Sequence, residues 1–261
     1  MSGTNNNIDQ NWLLLRGLAR ESGHWGDFIP HLQSHFPNSK ISVLDLPGTG
    51  QFHQENSPNN IKAITEITRQ RALERGLLDQ PITLFAVSLG GMVAWEWLHS
   101  YPDDICGGTL VNTSFANLSP FYQRLKGSCY PQFISLLGKK DLLERERVVL
   151  QLVSNNRNND EPISIKWADI QTQRPITLKN CFQQIIAAAT FKPTTAQPTH
   201  PILLLNSIKD RLVSAHCSEA IQQHYQLPIQ QHPWAGHDLT LDDPQWVIQQ
   251  LQQWTAHVTH N

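Results

Sequence analysis

The sequence predicts an α/β fold: a mostly parallel central sheet flanked by helices, with a helical segment inserted late in the chain. Three observations predict it. Short apolar runs alternate with segments of helical spacing through about Asn117. The alternation then gives way to helical patterns without a clear strand, and it resumes near Pro201. A buried strand also runs directly into a helix at Ser88, with small residues on both sides of the serine. A length of 261 residues suits one α/β domain with an insertion.

Strands are expected over residues 12–15, 41–46, 82–87, 107–112, 202–206 and 229–232, the short runs that alternate with helical patterns. Helices are expected over residues 25–36, 61–77, 91–99, 214–225 and 244–258, with apolar residues three or four apart. Pro244 suits the first turn of the last. Residues 1–117 and 196–261 are expected to form the core, and residues 118–195 a helical cap, or lid. Within that cap Leu136, Leu142, Leu143 and the apolar run at 148–152 fit amphipathic helices.

Hydrophobic residues make up 39% and charged residues 16% of the chain, rich in neutral polar side chains but far from a disordered composition. With 20 Lys and Arg against 22 Asp and Glu, no global charge points to nucleic acid or a membrane surface. The opening MSGTNNNIDQ lacks the basic and apolar regions of an export signal, and no stretch approaches the ~20 apolar residues of a membrane span, so a cytoplasmic protein is expected. Cys106, Cys129, Cys181 and Cys217 form no C-x-x-C pair. Reduced, mostly buried thiols are expected, with no zinc site, no other metal and no cofactor.

The chemistry concentrates at Ser88. A serine in a sharp strand-to-helix turn holds a strained backbone, tolerated where the residues two before and two after are small. Here they are Ala86 and Gly90. The turn lifts the hydroxyl above the sheet and aims the Leu89 N–H at the same space, one donor for a developing oxyanion. The loop after the first strand, Arg16-Gly17-Leu18, is expected to supply the second through the Leu18 N–H.

A serine hydroxyl needs a base, and the base needs a carboxylate to fix its tautomer. The strand at 202–206 leads to Asp210, at the sheet edge where ligand sites of α/β folds gather. The strand at 229–232 leads into PWAGHDLT, residues 233–240, and His237. Any one of 12 histidines is more often a packing residue than a base, but the order serine, acid, histidine selects His237. Among rival acids, Asp238 should diverge from the histidine, Asp242 and Asp243 look like caps for the last helix, and Asp45 more plausibly fixes a turn. The Gly48-Thr-Gly50 segment lacks the further glycine of a dinucleotide fingerprint.

Taken together, LLLRGL at 13–18, HWG at 24–26, VLDLPG at 43–48, SLGGM at 88–92 and Gly236-His237 resemble the α/β-hydrolase superfamily. Within it the pattern is similar to bacterial pimeloyl-acyl-carrier-protein methyl ester carboxylesterases. The resemblance implies an α/β-hydrolase fold, a serine esterase with the triad Ser88, Asp210 and His237, an oxyanion hole at Leu18 and Leu89, and a small ester substrate of biotin synthesis presented on a carrier protein. Two positions depart from the pattern: Arg16-Gly17 stands where His-Gly is usual, and Gln51 replaces a Ser or Arg. The same fold and triad also serve thioesterases and a lyase of menaquinone synthesis, and a non-catalytic receptor could keep both.

Residues 118–195 carry 11 basic and 6 acidic residues, against 9 basic and 16 acidic in the remainder. A positive cap on a negative body could seat an acidic carrier through Arg124, Arg145 and Arg147. The plainer reading is local pairing at helical spacing, Asp141 with Arg145 and Glu144 with Arg147.

Overall fold

A computed structural model describes residues 10–258; the N-terminal segment read above for an export signal lies largely outside them. Six strands form one parallel sheet: β1 (Asn11–Leu15), β2 (Lys40–Val43), β3 (Ile82–Val87), β4 (Ile105–Val111), β5 (Ile202–Ser207) and β6 (Ile229–His232). Their order across the sheet is β2-β1-β3-β4-β5-β6. The helices that join them include α1 (Phe28–His35), α2 (Ile61–Glu74) and α3 (Leu89–Ser100). Between β4 and β5 come α4 (Phe121–Arg124), α5 (Tyr130–Gly138), α6 (Leu142–Val153), α7 (Asp160–Gln173) and α8 (Leu178–Thr190), with no strand among the described residues. The chain closes with α9 (Ala215–Tyr225), α10 (Leu239–Asp242) and α11 (Pro244–Val258). This is the α/β-hydrolase architecture that the sequence predicts.

The near-continuous apolar runs follow from burial on both faces. Leu13 and Leu15 of β1 point with Leu84, Ala86, Leu110 and Leu204 into a core shared with α2, α3 and α9. Trp12 and Leu14 point the other way, with Phe85, Val87, Val111 and Leu205, into a core against α1 and α11. The two-residue period of a strand assigns the sides.

Differences from the expected boundaries have local causes. The first helix begins at Phe28 because Trp25 belongs to a 3₁₀ turn (Ser22–Trp25) that ends at Gly26 in the left-handed region. The second stops at Glu74, where Gly76 at φ 62° lets the Leu77 N–H return to Ala72 O. The second strand is shorter than expected because Asp45 and Pro47 turn the chain: the Asp45 carboxylate accepts from Ser22 N, Ser22 Oγ and Gln51 N. Asp45 is thus a turn residue, as its context suggests. All four cysteines are free; Cys106 is exposed, as the second residue of β4 at the amino edge of the sheet.

The chain order reverses direction at β1 and β3, which are hydrogen-bonded neighbours with Leu15 opposite Ala86. From β1 the chain crosses to β2 on one side; from β3 it crosses to β4 on the other. Loops leaving these two strands therefore part and leave a crevice at the carboxyl edge. The Arg16 loop and Ser88 both emerge there. Close approach of α3 to β1 depends on Gly90, where a Cβ would sit 2.6 Å from Arg16 O and 2.7 Å from Leu15 O. Both obstacles are backbone atoms, so Gly90→Ala should lower stability by about 1–3 kcal/mol, read as a fall in urea midpoint at unchanged m-value.

Candidate active site

Ser88 stands between β3 and α3 with φ 57° and ψ −116°. A residue with a Cβ held there costs on the order of 1–3 kcal/mol, so the surroundings must fix it. They do so through the backbone: Ser88 N donates to Val111 O at 2.8 Å, and Ser88 O accepts from Gly91 N at 2.9 Å and from Thr113 Oγ1 at 2.9 Å. A Cβ on Gly17 would lie 3.1 Å from Ser88 Cβ and 3.7 Å from its Oγ, so the loop after β1 passes directly beside the hydroxyl. No hydrogen bond among the described residues engages the N–H of Leu18 or Leu89.

Asp210 and His237 meet. Asp210 Oδ2 lies 2.7 Å from His237 Nδ1, and both side chains are buried. Asp210 Oδ1 accepts from Leu212 N at 2.7 Å and Val213 N at 3.0 Å, which fixes the carboxylate in its own loop. With the carboxylate ionised, only the tautomer protonated at Nδ1 completes this bond, so Nε2 is left as the basic nitrogen. Burial pulls the imidazole pKa down; the adjacent Asp210 charge and hydrogen bond, with a smaller push from Asp238, outweigh it and leave the pKa above the ordinary histidine value, Arg16 opposing.

Sequence reasoning missed Asn112. This buried residue directly follows β4 and lies in the left-handed region, at φ 48°. Its Nδ2 donates to His237 O at 2.8 Å and to Ser207 Oγ at 3.2 Å, and its Oδ1 accepts from Ser207 N at 2.9 Å. Its neighbour Val111 receives the Ser88 N–H. The one available signal was an asparagine closing an otherwise apolar strand.

The rival acids resolve by their partners. Asp238 diverges from His237, as expected, into a buried ion pair with Arg16. Burial raises the Asp238 pKa, but Arg16 more than offsets this and holds it below the usual carboxylate range. Asp243 caps the last helix, accepting from Trp246 N at 3.0 Å. Asp242 does not cap it: its carboxylate accepts from Gly236 N, Ser154 Oγ, Asn155 N and Asn156 N at 2.5–3.2 Å. It therefore ties the histidine loop to the end of α6, because four donors converge on it from two segments. Lys126, before α5, donates to Asp210 O at 2.5 Å.

Of the three arginines expected to seat a carrier, Arg124 is buried and spends its guanidinium on Ser114 Oγ, Ala189 O and Ala188 O, closing the end of α8. It offers no docking surface, a correction to the sequence reading. Arg147 pairs with Glu144 at 2.6 Å and Glu161 at 2.7 Å. Arg145 is half-buried and makes no ion pair among the described residues, while Asp141 caps α6 through Leu143 N. His24 lies outside the serine-histidine set, packed edge-on to Trp167 of α7 beside Arg20.

Burial, reinforced by Arg20, holds the His24 pKa well below the ordinary value. A cavity of about 390 Å³ between α7 and the loop before α1 is lined by His24, Trp25, Lys166 and Trp167, but by none of Ser88, Asp210 or His237.

A strained serine on a strand-to-helix turn and a buried histidine-carboxylate pair both stand on loops at the carboxyl edge of one parallel sheet, a placement shared with serine hydrolases. The alpha/beta hydrolase family matches residues 12–250, and the chain belongs to it. That family, with esterase and lipase relatives, supports a hydrolase of carboxylesterase type. A pimeloyl-[acyl-carrier protein] methyl ester esterase from Nitrosomonas europaea is 22% identical over 244 residues, covering 90% of this chain and 92% of that one. A mouse monoacylglycerol lipase is 25% identical over 122 residues, 44% of this chain and 34% of the lipase. A Rhodococcus esterase superposes with a TM-score of 0.75 at 15% identity, over 97% of this chain and 92% of the other. A Thermogutta terrifontis esterase gives 0.72 at 20% identity, over 95% and 89%.

Two predictions follow from the strained turn and the buried imidazole. Ser88→Gly relieves the backbone and should be more stable than Ser88→Ala by about 1–2 kcal/mol in urea titrations; equal stability would remove the strain argument. Unfolding frees His24 to bind a proton below about pH 6.5, so it makes the fold lose stability as pH falls through that value. His237, with its raised pKa, acts in the opposite sense: its contribution is complete below about pH 6.5 and is lost as pH rises through its folded value. Urea midpoints taken between pH 8 and pH 5 should therefore fall more steeply in the parent chain than in His24→Gln.

Proposed function

We propose that the chain is a serine carboxylesterase in which Ser88 is the nucleophile, His237 the general base and Asp210 the residue that orients it. The observation that carries this reading is the 2.7 Å bond between His237 Nδ1 and Asp210 Oδ2, formed at the edge from which the strained Ser88 projects. Ser88 Oγ attacks the ester carbonyl carbon while His237 Nε2 takes the hydroxyl proton. The carbonyl oxygen becomes an oxyanion, received by the Leu18 and Leu89 N–H groups. Collapse expels the alcohol, which leaves with the proton from His237. Water, deprotonated by the same nitrogen, then attacks the acyl-enzyme and releases the carboxylic acid, restoring Ser88.

Residues 118–195 act as the cap over this centre, and a cytoplasmic site of action accords with the sequence reading. The substrate reading is the methyl ester of a carrier-bound dicarboxylate, pimeloyl-acyl carrier protein in biotin synthesis. It is supported by the sequence resemblance and by a relative of that name aligned over nearly the whole chain. Arg145 is the basic residue of α6 left without an ion pair among the described residues to meet an acidic carrier, since Arg147 is paired with Glu144 and Glu161.

A fluorophosphonate should label the folded protein stoichiometrically at Ser88, and Ser88→Ala should lose ester hydrolysis by ~10³-fold or more at an unchanged fold. The neutral form of His237 is the active one, so kcat/KM should fall on acidification with a midpoint above the ~6.5 of free imidazole. A profile flat from pH 5 to pH 8 would falsify the assignment of the base. Charge reversal in Arg145→Glu should lower kcat/KM about tenfold on a pimeloyl-carrier methyl ester and leave a free methyl ester unaffected. Equal rates on the carrier substrate would end the docking idea while leaving the esterase intact.

A further inference from the structure

We propose that the buried Arg16–Asp238 pair is a positioning strut that locks the oxyanion loop to the histidine loop and keeps the surroundings of His237 electrically balanced. The inference rests on the esterase reading and adds two residues to it. Arg16 follows β1 directly and lies two residues before Leu18; Asp238 follows His237. In the sheet, β1 and β6 are separated by β3, β4 and β5, so no ladder couples their loops. The pair spans that gap with two hydrogen bonds, Arg16 Nη1 to Asp238 Oδ1 at 3.3 Å and Nη2 to Asp238 Oδ2.

Each partner is held from behind. Thr240 Oγ1 donates to Asp238 Oδ1 at 2.8 Å, Asp238 N donates to Val153 O at 2.8 Å, and the Arg16 guanidinium lies over the Trp25 ring at 4.6 Å. A planar, two-point contact fixes orientation as well as distance, which lysine or histidine at position 16 could not do. Arg16 is one of the two departures from the esterase pattern, and its partner stands beside the catalytic base.

The charged groups acting on His237 are Asp210 from the loop after β5, Asp238 from its own loop and Arg16 from the loop after β1. Asp238 favours the imidazolium and Arg16 disfavours it. While paired they act in opposite directions on the ring, and Asp210 is the carboxylate hydrogen-bonded to it. Removing either partner alone uncovers the other, with opposite signs.

The test is an NMR titration of the His237 ring, with kcat and KM for a p-nitrophenyl ester, in the parent, Asp238→Asn, Arg16→Met and the double variant. The histidine midpoint should fall by about half a pH unit or more in Asp238→Asn, rise as much in Arg16→Met, and return to within about 0.3 unit of the parent in the double. In all three, kcat should drop about tenfold or more with KM changed less, because the oxyanion loop is no longer held. Shifts of the same sign, or no shift in folded single variants, would overturn the proposal. If the singles do not fold, the double decides: a parent-like midpoint with low kcat supports the strut, and parent-like kcat overturns it. The ring titration reads the pair even in a protein that hydrolyses nothing, so failure of the esterase reading is a separate outcome.

Discussion

Asn112 is the constraint on which the arrangement of the site depends. It directly follows the strand next to the one that leads to Ser88, and its side-chain amide bonds Ser207, the last residue of β5 before the Asp210 loop, and the loop that carries His237. A parallel sheet brings strand ends to one edge but does not fix the loops beyond them. Backbone groups there have left the ladder and need other partners. One buried amide supplies donor and acceptor to the neighbouring segment, Nδ2 to Ser207 Oγ and Oδ1 from Ser207 N, and its Nδ2 reaches onward to His237 O. The left-handed backbone at φ 48°, which asparagine tolerates better than most residues, aims it that way.

How much of this was legible in the sequence follows from which forces are local. The central strands read correctly to within a few residues because burial on both faces leaves apolar runs, and the edge strands β2 and β6, which are largely unburied, read from their place in the alternation. The strained turn at Ser88 and the meeting of Asp210 with His237 were legible because chain order and the strand-to-loop position of each restrict the choice. Asn112 and Asp242 were not legible. Their roles depend on partners 88 to 125 residues away, the Ser154 hydroxyl that donates to Asp242 and the His237 carbonyl that accepts from Asn112, and nothing in neighbouring residues announces such a partner. Asp242 even carried a misleading local signal, standing just before a proline that starts a helix.

Buried charge is the second organising element. Three ion pairs join segments distant in sequence: Arg16 with Asp238, Arg20 with Glu146, and Glu21 with Arg174. All three involve residues 16–21, the stretch that follows β1. Two of them bind that stretch to the helical insertion through α6 and the end of α7, and the third binds it to the histidine loop. Such pairs are weak stabilisers relative to apolar packing, because desolvation offsets much of the attraction. Breaking one partner alone is costly, so they specify which segments may lie together more than they add to stability. The stretch beside the Ser88 hydroxyl is thereby fixed from two sides.

The same accounting changes the meaning of the positive insertion. Its excess of basic residues suggests an electrostatic face, but several of those charges are already committed inside the chain. Arg124 closes the end of α8, Lys126 holds Asp210 O, Arg147 pairs with Glu144 and Glu161, Arg157 with Asp160, and Arg174 with Glu21. A formal charge count treats each as available to a partner; with Lys139 also paired to Glu144, the structure leaves chiefly Arg145 and the exposed Lys140, Lys166, Lys179 and Lys192 for that role. The insertion thus presents few uncommitted charges rather than a broad basic field. The committed charges serve instead to keep the insertion seated where Asp242 and Lys126 tie it to the loops of His237 and Asp210.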